Sequence, residues 1–152
     1  MREQVHKLAS EWDTYLHRPG PTYWKIDGIK DPRAFFQHLP KIFPYGLTLL
    51  LEDPEMSLTA KSLYADFPAR FTKKVPCDTI YPVPESHHVE FTADFADQLC
   101  QLLASQGFEG TLYHFKGYSE HEIVFSFHDA FIGELVVSHS KPEAVIREFA
   151  AC

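Results

Sequence analysis

The sequence predicts an α/β (α+β mixed) fold. One domain carries a mixed sheet of five or six strands that ends in a three-stranded antiparallel meander, with helices on one or both faces. Three observations predict this. Apolar residues recur at helical spacing in several separate stretches; compact or alternating apolar runs stand between them; and the last third reads helix, strand, strand, strand, helix. At 152 residues the chain has the common size of one domain. Residues 68–90, with Pro68, Pro76, Pro82 and Pro84, are the one stretch where it could subdivide, but each half would then have a marginal core.

Val5, Leu8, Ala9, Trp12, Tyr15 and Leu16 predict an amphipathic helix over residues 2–17, stopped by Arg18-Pro19-Gly20. Thr22–Ile26 reads as a short strand. Asp31-Pro32 reads as the N-cap and first position of a short helix through Phe35 and Phe36, ending before Pro40. Gly46–Leu51 is a compact apolar run and predicts a buried strand. Ser57 caps a helix through Ala60, Leu63, Tyr64 and Phe67, ended by Pro68. With an extended piece at Thr79–Val83, this suggests a right-handed parallel crossover. The prolines of residues 68–90 suit a surface loop or an edge strand.

Thr92 caps a helix whose stripe is Phe95, Leu99, Leu102 and Leu103, closed by Gly107. Thr111–Lys116 and Glu122–His128 alternate as strands around a turn at Gly117–Glu120, and Ile132–Val137 is a third strand. Ser140-Lys141-Pro142-Glu143 has the S-x-x-E form of a capping box and opens a last helix with Val145, Ile146 and Phe149.

Charge divides unevenly along the chain. Residues 1–76 hold 11 Lys+Arg against 9 Asp+Glu, whereas residues 77–152 hold 3 against 12. The second half also holds His87, His88, His114, His121, His128 and His139. An acidic, histidine-rich half predicts a cationic partner, a basic protein surface or a metal ion. It argues against nucleic acid; Lys73-Lys74 with Arg70 is the only basic cluster. The apolar run Leu49–Leu51 is far too short to span a membrane. Cys77, Cys100 and Cys152 are odd in number and lack paired spacing, which predicts free thiols. Met1 is followed by Arg2, Glu3, His6 and Lys7 without an apolar segment, so no secretory signal is expected and a cytoplasmic location is.

Strand alternation places His114 and His128 on one open face. A hairpin centred near residues 118–120 sets them about four residues apart along the strands, on the order of 13 Å, too far for one ion. His87 and His88 point to opposite faces, while His88 and Glu90 share one and offer a metal N,O pair. His128-Asp129 offers an Asp-oriented imidazole, with Ser126 too distant to be its nucleophile. These four residues, His88, Glu90, His128 and Asp129, are the metal candidates, and the expectation is that no metal or other cofactor is bound. Cys100, beside Leu99 and Leu103, reads as a buried inert thiol. No HExxH, GxSxG, GxGxxG or Walker-type motif occurs, so no catalytic residue is assigned.

The sequence therefore predicts a non-catalytic acidic binding module that engages a basic protein partner. Toxin-neutralising immunity proteins are a class-level analogy for such an object. Glu109, Glu120 and Glu122, at or near the hairpin, are the predicted partner-binding acids. The alternative is a small metal-dependent or His/Asp-based enzyme. The oligomeric state is not legible.

Overall fold

The computed structural model describes residues 23–43, 46–77, 83–138 and 140–152. The expected helix over residues 2–17 lies outside them, as does all of the Thr79–Val83 piece except Val83. In chain order the elements are β1 (Tyr23–Ile26), α1 (Pro32–Ile42), β2 (Thr48–Asp53), α2 (Leu58–Ala65), β3 (Glu85–Glu90), α3 (Ala93–Gln106), β4 (His114–Tyr118), β5 (Ile123–His128), β6 (Glu134–Ser138) and α4 (Glu143–Ala150). The strands form one six-stranded sheet, ordered β1-β6-β5-β4-β2-β3.

Every pairing in this sheet is antiparallel, including β2 with β3. The β4–β5–β6 meander is present as expected; no strand pairs parallel among the described residues, and the third piece of the expected crossover lies outside them. Beyond α2, Pro68 is bridged to Val89, and β3 runs antiparallel to β2. β3 is an edge strand, which is where a segment preceded by Pro84 fits.

Local chemistry fixes most boundaries. The Asp31 carboxylate accepts from the amides of Arg33 and Ala34, capping α1 with Pro32 at its start. This helix runs through Pro40 to Ile42 rather than stopping before it, because Leu39 and Ile42 are both buried. Ser57 Oγ accepts from the Ala60 amide, and Thr92 Oγ1 from the Phe95 amide. The S-x-x-E capping box does not form. The N-cap of α4 is Pro142, and the Ser140 hydroxyl donates to Glu122 instead.

The four described helices bury their apolar residues in one cluster with Leu49, Leu51, Val89, Phe115, Phe125, Phe127, Leu135 and Val137 of the sheet. Phe35 of α1 is its centre. Its ring lies 5.2 to 5.8 Å from those of Phe36, Phe115, Phe125, Phe127, Phe131 and Phe149. The other sheet face carries a small second cluster, Leu50, Tyr118 and Ile123, packed against Val75 and Cys77. That face holds most of the polar chemistry.

Candidate functional site

Cross-strand register builds a polar row on this second face. Ser86 of β3 stands opposite Glu52 of β2, Glu52 opposite His114 of β4, and His128 of β5 opposite Glu134 of β6. Phe115 pairs with Phe127, so the next residues out, His114 and His128, meet across the hairpin. Their rings stack with centroids 4.1 Å apart and planes 13° from parallel. The expected separation of about 13 Å is therefore incorrect.

The error lay in the turn. Gly117 is a strand residue rather than a turn residue, and the reversal occurs at Ser119–Glu122, where the Ser119 amide donates to Glu122 O at 2.9 Å. Gly117 is needed because the Phe125 ring lies over it; a Cβ there would sit 2.8 Å from Phe125 Cδ1. A bulge beside Gly117 and Tyr118 also turns Ile123 onto the second face, against simple alternation. Tyr113 precedes the strand and is exposed, while Leu112 is buried in the main core.

Asp129 joins the pair from the β5–β6 turn. It has φ 48°, and Phe131 two residues on has φ 65°. Phe131 holds this uncommon geometry because its ring is buried against Phe35, Phe36, Phe108, Phe115 and Phe127. The Asp129 amide donates to His114 Nδ1 at 2.8 Å, and its carboxylate lies 3.6 Å from that nitrogen and 3.8 Å from His128 Nε2. A backbone amide can only donate, so the proton of a neutral His114 resides on Nε2. His114 is buried, whereas the side chains of His128 and Asp129 are about half exposed. Among the described residues this is the one group of three His, Cys, Asp or Glu side chains whose ligand atoms lie within 4.8 Å of one another.

His87 and His88 sort by face as expected. His87 packs near Tyr64 on the helical side, and His88 near Tyr118 on the other. His88 Nδ1 and the Tyr118 hydroxyl are 2.6 Å apart, and the Lys73 amide donates to the same hydroxyl. Burial, and then neighbouring His87, lowers the His88 pKa; burial raises that of Tyr118. Glu90 is paired with Arg70 at 2.9 Å. His88 and Glu90 thus share a face but are committed to different partners. Cys77, Cys100 and Cys152 are free thiols. Burial, reinforced by Glu52, pushes Cys77 up to about 12; burial also raises Cys100 and Cys152. Lys116 donates to Pro76 O above the same face.

The three predicted partner-binding acids do not form one patch. Glu109 precedes β4 and Glu120 follows it, so they lie toward opposite ends of that strand. Glu122 accepts from the Ser138 and Ser140 hydroxyls at 3.0 and 3.2 Å and is not a free protruding acid. Glu120 is exposed and borders a cleft of about 320 Å³ at the end of β2, β3 and β4. Gly46, Leu47, Thr48, Arg70, Phe71, Glu90, Ser119 and His121 complete its walls. Sequence reasoning missed both this cleft and the position of Glu52 opposite His114, since each depends on which strands neighbour β2. No described helix is long and apolar enough to cross a membrane. Comparison with protein-family models, curated proteins and solved structures gives no match to this chain.

Proposed function

We propose that this protein is an acidic binding module that engages a basic protein partner through the cleft at the β4–β5 turn. The observation that carries this reading is the make-up of that cleft. Glu120 stands exposed at its border, Glu90 lies in its wall, and the partly exposed ring of Phe71 offers a flat apolar face. A guanidinium or ammonium group is recognised by such carboxylates and by an aromatic face. Arg70 already occupies Glu90 from the same cleft, with its side chain 84% exposed, so an incoming arginine would replace a pair that is weakly held. The acidic excess of residues 77–152 supports steering of such a partner. An immunity-type role and a cytoplasmic setting are compatible with this reading and rest on the sequence alone.

The test is capture of partners from the native host at low and high salt with wild type, Glu120→Lys and Glu109→Lys. Glu120→Lys should lose a partner that wild type and Glu109→Lys both retain at low salt. Equal capture by all three, without salt dependence, would leave the acidic half a solubilising surface. A second reading, a small metal-dependent or His/Asp-based enzyme, is favoured by the convergence of His114, His128 and Asp129. None of these three lines the cleft, so the two readings concern different sites.

A further inference from the structure

We propose that His114, His128 and Asp129 bind one divalent transition-metal ion of the zinc class at the β5–β6 end of the sheet. Two imidazoles and a carboxylate are the donor set that such ions take, and three protein ligands leave a fourth position for water. The candidate ligand atoms lie within 4.8 Å of one another. Ligand atoms on one tetrahedral ion at about 2.1 Å are roughly 3.4 Å apart, so the group must contract by only about 1.4 Å.

The surroundings favour a cation. Glu52, 2% exposed, stands opposite His114, and Glu134 stands opposite His128. Glu52 is thus the cross-strand neighbour of the buried imidazole, on the strand beside it. Lys116, two residues along β4, and Lys25, paired with Glu134 at 3.2 Å, balance these two carboxylates, and the Asp129 carboxylate leaves a net negative charge of one at the site.

The site must rearrange to load. Imidazole lone pairs lie in the ring plane, and rings stacked 13° from parallel cannot aim two of them at one point. His128 is the ring that moves, because its side chain is 55% exposed at a strand end while His114 is buried. The lone pair of His114 Nδ1 is held by the Asp129 amide, so an ion bound there displaces that amide and resets the turn. Ion binding at this site is therefore coupled to the backbone at Asp129. Casual binding to the exposed His128 and Asp129 side chains would leave the buried His114 ring untouched.

The experiment is a zinc chloride titration of tag-free protein by calorimetry, paralleled by ¹⁵N spectra of the histidine rings. The expected result is one zinc per chain with a micromolar or tighter Kd. His114 Nδ1 and the Asp129 amide should both shift. His128→Ala and Asp129→Asn, exposed changes that leave the core alone, should each weaken binding at least about tenfold. His88→Ala, elsewhere on the sheet, should not. Absence of saturable binding would overturn the proposal. So would zinc affinity that survives His128→Ala, or a titration in which the His114 ring does not respond.

Discussion

His114 and His128 lie ring on ring, 4.1 Å apart, because Gly117 gives the Phe125 ring room to pack against the β4 backbone. The close packing at Gly117 helps set the hairpin register, and the register brings the two histidines together. Gly117→Ala should therefore destabilise the protein by about 1–3 kcal/mol, the range for overpacking a filled core. Urea unfolding checks this; a variant as stable as wild type would mean that the hairpin can shift to make room.

Phe35 touches six other rings and is fully buried. Phe35→Ala should cost about 3–5 kcal/mol, by lost transfer energy and the cavity left behind. Phe71→Ala, at an exposed ring beside the cleft, should cost much less. Comparable losses in both, by thermal or chemical unfolding, would contradict the placing of the core on the helical face.

The three thiols should react slowly while the protein is folded. Burial raises all three pKa values, and the thiolate is the reactive form. A disulfide-exchange probe at neutral pH should label them slowly in buffer and fully in denaturant. Cys77 is raised from 9.0 to about 12 in the folded chain, so its contribution is present below pH 9 and is lost as pH rises toward 12. A thiol that reacts rapidly in native protein at neutral pH would contradict this account.

His88 predicts the opposite pH trend. Its folded pKa lies below the ordinary 6.5, chiefly through burial beside Tyr118. Below 6.5 the unfolded chain takes up a proton that the folded chain resists. Stability from neutral His88 is thus present above pH 6.5 and is lost as pH falls through the folded value. His88→Gln should lose less melting temperature than wild type on going from neutral to mildly acidic pH. An identical acid dependence would remove His88 from the explanation.

Much of the fold is written locally, and those parts were legible. Asp31-Pro32, Ser57 and Thr92 each mark a helix start by a hydrogen bond within four residues. The run at Leu49–Leu51 announces a strand buried on both faces. Pro40 misleads because buried Leu39 and Ile42 hold the helix past it. Ser140 misleads because Glu122, distant in sequence, takes its hydroxyl. The strand order was not legible, since neighbours of β2 are chosen by long-range packing. The candidate site shares that weakness. Alternation put His114 and His128 on the same face, but only the Gly117–Phe125 contact reveals that Gly117 is not in the turn. That error separated two rings that touch. Glu109 and Glu120 were grouped as acids at or near the hairpin, but the length of β4 lies between them.

The proposed function requires a basic group to bind at the β4–β5 turn. Amide ¹H–¹⁵N spectra of the protein titrated with a short arginine peptide, against its glutamine counterpart, test this most directly. Saturable shifts are expected at Thr48, Ser119, Glu120 and His121 with the arginine peptide only. They should be lost in Glu120→Lys and kept in Glu109→Lys, weakening as salt is added. Shifts scattered over the acidic surface, or equal loss in both variants, would contradict it.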